Sequence, residues 1–338
     1  MNKRLKIMGA LAAAAALLVS SGCAGGDGPK GGEEGGENVK VAFVPKIQGI
    51  PFFEAMNTGG QAAAEEFGFE WVYSGPTTAD PAAQSDVIRS LMQQQVGALM
   101  VAPNDPDSVA PLLKEAQDRG VRVGTSDTDA PDSVREVMVS QATDEGIGTA
   151  LIEQTVEAMG EEGKIAIVSC GQTAANLNAW IKIINEKVES DYPKVEIVET
   201  VYADEDQARA VTMAKNIMNA NPDLKGLIGP CTTAAPGVAQ AVQEAGKTGE
   251  IVTVGVGTPQ AMLPYLEDGS ASSSVLWNVE DHGYLTAWAG WKMAMGEEFE
   301  ETQDVGRLTD VTYDAETKHL LLGEPLILTA ENAGDFDY

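Results

Sequence analysis

Histidine is nearly absent: 338 residues carry only two, His282 and His319. That leaves little for histidine-based catalysis or a histidine-rich metal site. Cysteine is scarce too, at three, which excludes a disulfide-dense miniprotein. Cations are few, 22 Lys and Arg against 51 Asp and Glu, and the formal charge is −29. A polyanion is repelled by such a surface unless a basic module is set apart on the chain, and none is. Nucleic acid is therefore a poor partner. Catalytic signatures are missing as well: there is no G-x-S-x-G, no H-E-x-x-H and no P-loop. Gly255-Val256-Gly257 runs into Thr258-Pro259-Gln260 and so fails the dinucleotide pattern at its third glycine. No short period repeats, which excludes a solenoid. What is present is 43% hydrophobic content, enough for one large core or two ordinary ones and too much for disorder.

The chain begins with Lys3, Arg4 and Lys6, followed by an apolar run from Met8 to Val19. As a helix this run rises about 18 Å, short of the roughly 30 Å of a bilayer core. A basic start and a short apolar run read as a secretory signal. The run ends in Val19-Ser20-Ser21-Gly22-Cys23, which resembles a bacterial lipoprotein signal cut before Cys23, although Ser20 stands where a larger aliphatic residue is usual. The alternative is an ordinary signal with an incidental cysteine. Residues 24–38 hold seven glycines and three glutamates, a composition that cannot pack and behaves as a tether. Residues 1–22 are expected to be the signal peptide and 23–38 the tether. A lipid on Cys23 would hold the protein to the membrane on its extracytoplasmic side.

From Val39 the pattern alternates. Strand-like apolar runs at Val39–Pro45, Glu70–Tyr73, Ala98–Ala102, Val121–Thr125 and Glu136–Val139 are separated by helical periodicities at about Phe53–Phe67, Pro81–Gln95 and Pro106–Gln117. A second set follows a helix at about 144–159. Its strands are Lys164–Ser169, Val195–Tyr202, Gly226–Gly229, Ile251–Val256 and Ser273–Trp277, with helices near 178–189, 205–219 and 234–245. Strings of βαβ units make parallel sheets covered on both faces. The fold class is therefore α/β, two doubly wound parallel-sheet lobes joined by a three-strand hinge with a ligand cleft between them. The first lobe is expected at 39–141 plus 280–303 and the second at 142–279. A tail, 304–338, would lie across the hinge. Hinge strands are expected near 141–144, 277–280 and within 303–313.

Ligands of open parallel sheets bind beyond the carboxyl ends of the strands. The residues there are Lys46, Asn104, Asp105, Asp127, Asp129, Gln172 to Asn178, Pro230 to Thr233, Thr258, Trp277 and Asn278, with Phe52, Phe53 and Trp180 close by. Fixed polar groups beside aromatic faces suit a hydroxyl-rich ligand.

These strand-end motifs, with the lipoprotein start, resemble the solute-binding proteins of bacterial ABC importers, in the rhamnose-binding and autoinducer-2-binding branch of the periplasmic sugar-binding fold. The resemblance covers about 39–338. It is carried by Val41-Ala42-Phe43-Val44-Pro45-Lys46, Ile50-Pro51-Phe52-Phe53, Tyr73-Ser74-Gly75-Pro76-Thr77, Gly120-Val121-Arg122-Val123 and Ser126-Asp127-Thr128-Asp129 in the first half. Ala175-Asn176-Leu177-Asn178-Ala179-Trp180, Thr258-Pro259 with Met262 and Tyr265, and the ending Asp335-Phe336-Asp337-Tyr338 complete the series. It implies a ligand pocket with Lys46, Asp127 and Pro230 in the family's positions. An Asp-Gln pair of the autoinducer pocket falls on Asn176 and Leu177, and an alanine falls on Thr232. Each unpaired hydroxyl buried costs about 1–3 kcal/mol. These departures weigh against autoinducer-2 and toward a rhamnose-like sugar or other small aldose whose methyl group Leu177 can face. The resemblance further implies capture by lobe closure, delivery to a membrane permease, a monomer, no cofactor, no metal and no catalysis. A transcription regulator shares the body but needs a basic headpiece, which this chain lacks; a receptor signalling to a membrane kinase stays compatible.

Each residue also has a plainer reading. Lys46 is either a solvated loop lysine or a ligand contact that balances Asp127. Of Asp127 and Asp129 one is expected to be structural, with Asp127 as the contact. Of Asn176 and Asn178 one caps a helix and the other binds. Phe52, Phe53, Trp180 and Trp277 are core or pocket wall, and Gln141 and Asp144 are hinge or turn. Cys170 and Cys231 follow the first and third strands of the second lobe, neighbours in a 2-1-3-4-5 sheet. They form a disulfide or stand as two small buried residues.

Overall fold

The computed structural model describes residues 39–338. The expected signal peptide, tether and lipidation at Cys23 lie outside the described residues.

In the first lobe β1 (Lys40–Val44), β2 (Glu70–Tyr73), β3 (Ala98–Val101), β4 (Arg122–Ser126) and β5 (Met138–Ser140) run parallel in the order β2-β1-β3-β4-β5. Their near-continuous apolar sequences follow from being covered on both faces. Successive side chains of β1 go to opposite sides: Val41 and Phe43 enter the core under α1 (Pro51–Phe67) and α9 (Val279–Ala294). Ala42 and Val44 enter the one under α2 (Pro81–Met92) and α3 (Pro106–Asp118). Gly68, at φ +76, closes α1 in the left-handed conformation. α1 and α9 lie against one another at Gly59 and Gly283, where a Cβ would run into the backbone carbonyls of Glu280 and Met56.

The second lobe repeats the plan. β6 (Gly163–Ser169), β7 (Val195–Tyr202), β8 (Leu224–Gly229), β9 (Val252–Gly255) and β10 (Ser273–Leu276) are ordered β7-β6-β8-β9-β10, all parallel. Helices α4 (Asp144–Met159), α5 (Ala175–Asp191), α6 (Gln207–Ala220), α7 (Ala234–Glu244) and α8 (Pro259–Glu267) connect and cover them. Among the described residues no helix is long and apolar enough to cross a membrane.

Two expectations need correction. The tail passes from one sheet to the other, but not where the crossing was expected. β11 (Thr302–Val305), β12 (Leu308–Asp314) and β13 (His319–Leu321) extend the first sheet, with β13 parallel to β5. β14 (Leu326–Leu328) pairs antiparallel with β10 in the second sheet. The third passage between sheets therefore falls at 322–325 rather than within 303–313. Gly323 and Pro325 interrupt the strand there, since proline cannot donate to a ladder. α6 does not start at Glu205 either. Asp206 caps it by accepting from the Arg209 amide, and Asp204 and Glu205 stand outside the helix at φ +54 and +57.

Candidate ligand-binding site

The carboxyl ends of both sheets face a small cavity lined from both lobes. Each polar side chain in it follows a strand or opens a helix. Lys46 comes two residues after β1, is 4% exposed, and its Nζ sits 2.9 Å from Asp127 Oδ2. It also donates to Asn176 Oδ1 at 3.1 Å, across from the other lobe. Asp127 follows β4 at φ +64, a left-handed conformation that non-glycine residues rarely hold without cause. Thr128 Oγ1 donates to its carboxylate, and Gln141 Nε2 to its carbonyl. Two charges buried this deeply hold only as a pair, because either alone would carry an unrepaid desolvation cost.

Asp129 turns away from the cavity. It accepts from Arg135 Nη2 at 2.7 Å, Thr125 Oγ1 at 2.7 Å and its neighbour's amide, with His319 Nε2 at 3.5 Å. Burial pushes its carboxyl up, but the bonds from His319, Arg135 and Thr125 and the Arg135 charge outweigh that and bring it down to about 2.

Phe52 and Phe53, in the first turn of α1, meet edge-on at 5.0 Å, and Phe52 meets Trp277 edge-on at 5.7 Å. Trp180 packs on Trp277 at 6.2 Å and donates to Asp144 Oδ1 at 2.8 Å. Trp180 and Trp277 are 1% and 2% exposed and yet line the cavity, so core and pocket wall are one layer here. Pro230 and Thr232, just past β8, complete the expected set. The amino end of α1 carries no side-chain cap, while at the start of α5 the Leu177 N–H donates to Asn176 Oδ1 at 2.9 Å.

Asn178 does not belong with the others. It is exposed, outside the cavity, and donates to the Gln172 carbonyl at 2.9 Å. Two residues apart on a helix point to different faces, so Asn176 and Asn178 cannot both reach one pocket. The lining outside the strand-end set read from the sequence is Ile50, Glu205 and Val256. Glu205 follows β7, and applying the strand-end rule to that edge strand as well would have found it.

Cys170 and Cys231 are joined by a disulfide, their Cα atoms 6.2 Å apart, at the ends of the adjacent strands β6 and β8. With Glu205 they are the cluster of metal-ligand types gathered among the described residues, but sulfurs bonded to each other offer no thiolate. Ser126 Oγ lies 3.2 Å from His282 Nε2, which invites comparison with a nucleophile and its base. That nitrogen is also 3.0 Å from the Val139 carbonyl, to which it must donate, so it holds a proton and accepts none from Ser126. Burial pushes the His282 pKa down, and neither residue lines the cavity.

Two doubly wound lobes closed on a small cavity that mixes an ion pair, amides and aromatic faces are the architecture of a two-lobe solute-binding protein. The chain belongs to the periplasmic binding protein family: the family described as periplasmic binding protein domain matches residues 41–298. It is similar to LsrB from Clostridium saccharobutylicum in complex with AI-2, 29% identical with a TM-score of 0.84 over 89% of this chain and all of that one. An ABC transporter solute-binding protein from Clostridium phytofermentans with bound L-rhamnose is 26% identical, with a TM-score of 0.83 over 88% of this chain and 98% of that one. The D-ribose/D-allose-binding protein of Pseudomonas aeruginosa is 26% identical over 241 residues, 69% of this chain and 75% of its own length.

Proposed function

We propose that this chain captures a small neutral sugar outside the cytoplasm and hands it to an ABC permease. The observation that carries the reading is the Lys46–Asp127 pair, buried and net neutral, bridged to Asn176 and set among Phe52, Phe53, Trp180 and Trp277. A ligand hydroxyl finds donors and acceptors there without bringing a charge, and its C–H faces find aromatic cover. L-Rhamnose or a related aldose is the favoured ligand, with Leu177 against a methyl group. AI-2 is the second reading, supported by the similarity to LsrB. Capture works by closure: a ligand that touches both lobes favours the closed form by its differential affinity. The chain acts as a monomer, without cofactor or catalysis, anchored through a lipid on Cys23.

The test is a thermal-shift screen of the mature chain with L-rhamnose, D-ribose, D-allose, D-arabinose and AI-2. A ligand at 100 times its Kd adds about 2.7 kcal/mol of stability. A rise with a sugar and none with AI-2 supports sugar uptake; a rise with AI-2 alone establishes the second reading; no rise with any of the five removes both.

A further inference from the structure

Glu205 is the one ionisable group that the second lobe brings to the cavity. Asn176, Leu177, Trp180, Pro230, Cys231, Thr232 and Val256 line that wall beside it and carry no charge, while Lys46 and Asp127 both come from the first lobe. Glu205 also reaches the open groove beside Ile47, Thr78 and Gln207. It therefore stands between the enclosed space and solvent, half-buried.

Its backbone is unusual. Asp204 and Glu205 are consecutive non-glycine residues at φ +54 and +57, a conformation that L-residues adopt at a steric cost. The surroundings hold them there. The Ala203 amide donates to the Ser169 carbonyl at 2.7 Å, the Asp204 amide to the Cys170 carbonyl at 3.3 Å, and the Asp206 amide back to the Ala203 carbonyl at 3.2 Å. Asp204 pairs with Arg209 on the outside. Strain over-determined in this way collects at ligand clamps.

The side chain is only partly satisfied. Thr233 Oγ1 lies 3.3 Å from Glu205 Oε2 and 3.1 Å from Cys170 Sγ, so disulfide, threonine and glutamate form one shelf. Among the described residues no other group bonds the carboxyl. Burial raises its pKa, the Lys46 charge and the Thr233 bond oppose that, and the charges of Asp127 and Asp204 add to it.

Resting on the sugar-capture reading above, we propose that Glu205 is a specificity-determining residue, whose free carboxyl oxygen binds a sugar hydroxyl from the side opposite Lys46 and Asp127. The first lobe reads one end of the sugar and Glu205 the other. A monosaccharide with a hydroxyl at that end is preferred to its deoxy analogue, which forgoes the hydrogen bond to a charged group.

The experiment is calorimetric titration of wild type, E205Q, E205A and E205G with the sugars of the screen, and with mono-deoxy analogues of whichever sugar binds. E205Q is expected to weaken binding about tenfold and E205A up to about a hundredfold, the range of hydrogen bonds to charged groups. The loss should vanish for the one deoxy analogue that lacks the hydroxyl in question. E205G separates function from folding. Glycine takes positive φ without strain, so its unliganded Tm should equal or exceed that of wild type while its affinity falls. Wild-type affinity in all three variants overturns the proposal and leaves the sugar reading intact. Equal losses for parent sugar and every deoxy analogue overturn it too, since they mark a shape effect. A wild type that binds none of the sugars overturns both.

Discussion

Lys46 and Asn176 belong to different lobes, and the lysine Nζ spans the cleft to reach the amide oxygen at 3.1 Å while holding Asp127 at 2.9 Å. One ammonium thus ties the first lobe's carboxylate to the second lobe's helix. Lys46→Met should leave Asp127 buried without its counter-charge, at a cost of about 3–5 kcal/mol. The double change K46M/D127N should cost much less than the sum of the two single changes. Urea unfolding of the three variants measures this; strict additivity would mean that the pair is not what either residue is for.

Asp129 sets an acid limit. Its folded pKa of about 2 lies below its ordinary value of 3.8, so its contribution is present above the ordinary value and fades as pH falls through the folded one. The difference corresponds to about 2 kcal/mol, and the side chain is only 17% exposed, so screening takes little from it. Wild type should lose this amount between about pH 4 and pH 2. D129N should be less stable at neutral pH and should show a flatter profile in that window. Unfolding midpoints across the range decide the matter, and parallel profiles would show that Asp129 plays no such part.

The Cys170–Cys231 bond closes a loop with a sequence separation of 61 residues. Loop-closure entropy for that length is about 4 kcal/mol. C170S/C231S should lower the unfolding midpoint accordingly, and reductant should shift wild type while leaving the variant unmoved. A thiol titration of the mature, unfolded, unreduced chain should find neither of these two cysteines free.

Gly283 lies where α9 meets α1, with the Met56 carbonyl filling the space a Cβ would need. G283A forces two backbones apart, and no side-chain rotation relieves it. A loss of about 3 kcal/mol is expected, the upper end for overpacking. Gly68 makes the contrasting control: nothing crowds it, but its φ of +76 means that G68A costs about 1 kcal/mol through backbone conformation alone.

Much of the fold was legible in the sequence because buried parallel strands advertise themselves. Val41–Val44 and Ala98–Val101 have no polar alternation to confuse, and the proline-led helices after them start where the periodicity says. Lys46 and Asp127 were legible as polar residues immediately beyond such strands. Glu205 was legible by the strand-end rule applied to β7, but the helical periodicity of Glu205 to Asn219 hid it, since nothing local reveals two left-handed residues before the cap. Asn178 was placed in the site on proximity to a helix start, without the angular separation that sends it to the other side. The chain end misled for another reason: Leu320 to Leu328 reads as one apolar stretch, and only pairing partners, supplied by β5 and β10 far away in sequence, reveal that it serves two sheets.

Trp277 sits where the chain passes from β10 to α9, with Phe52 of one lobe on one side and Trp180 of the other lobe on the opposite side. Of the five tryptophans in the chain, these two bury their indole rings edge to face, and Phe52 reaches Trp277 from the other lobe. Opening would part Phe52 from Trp277, admit water to the ring, and move its emission to the red with a loss of near-ultraviolet dichroism. If the lobes close on ligand as proposed, the molecule carries an unlabelled optical signal of that motion, one that can be followed in stopped flow as ligand is mixed in.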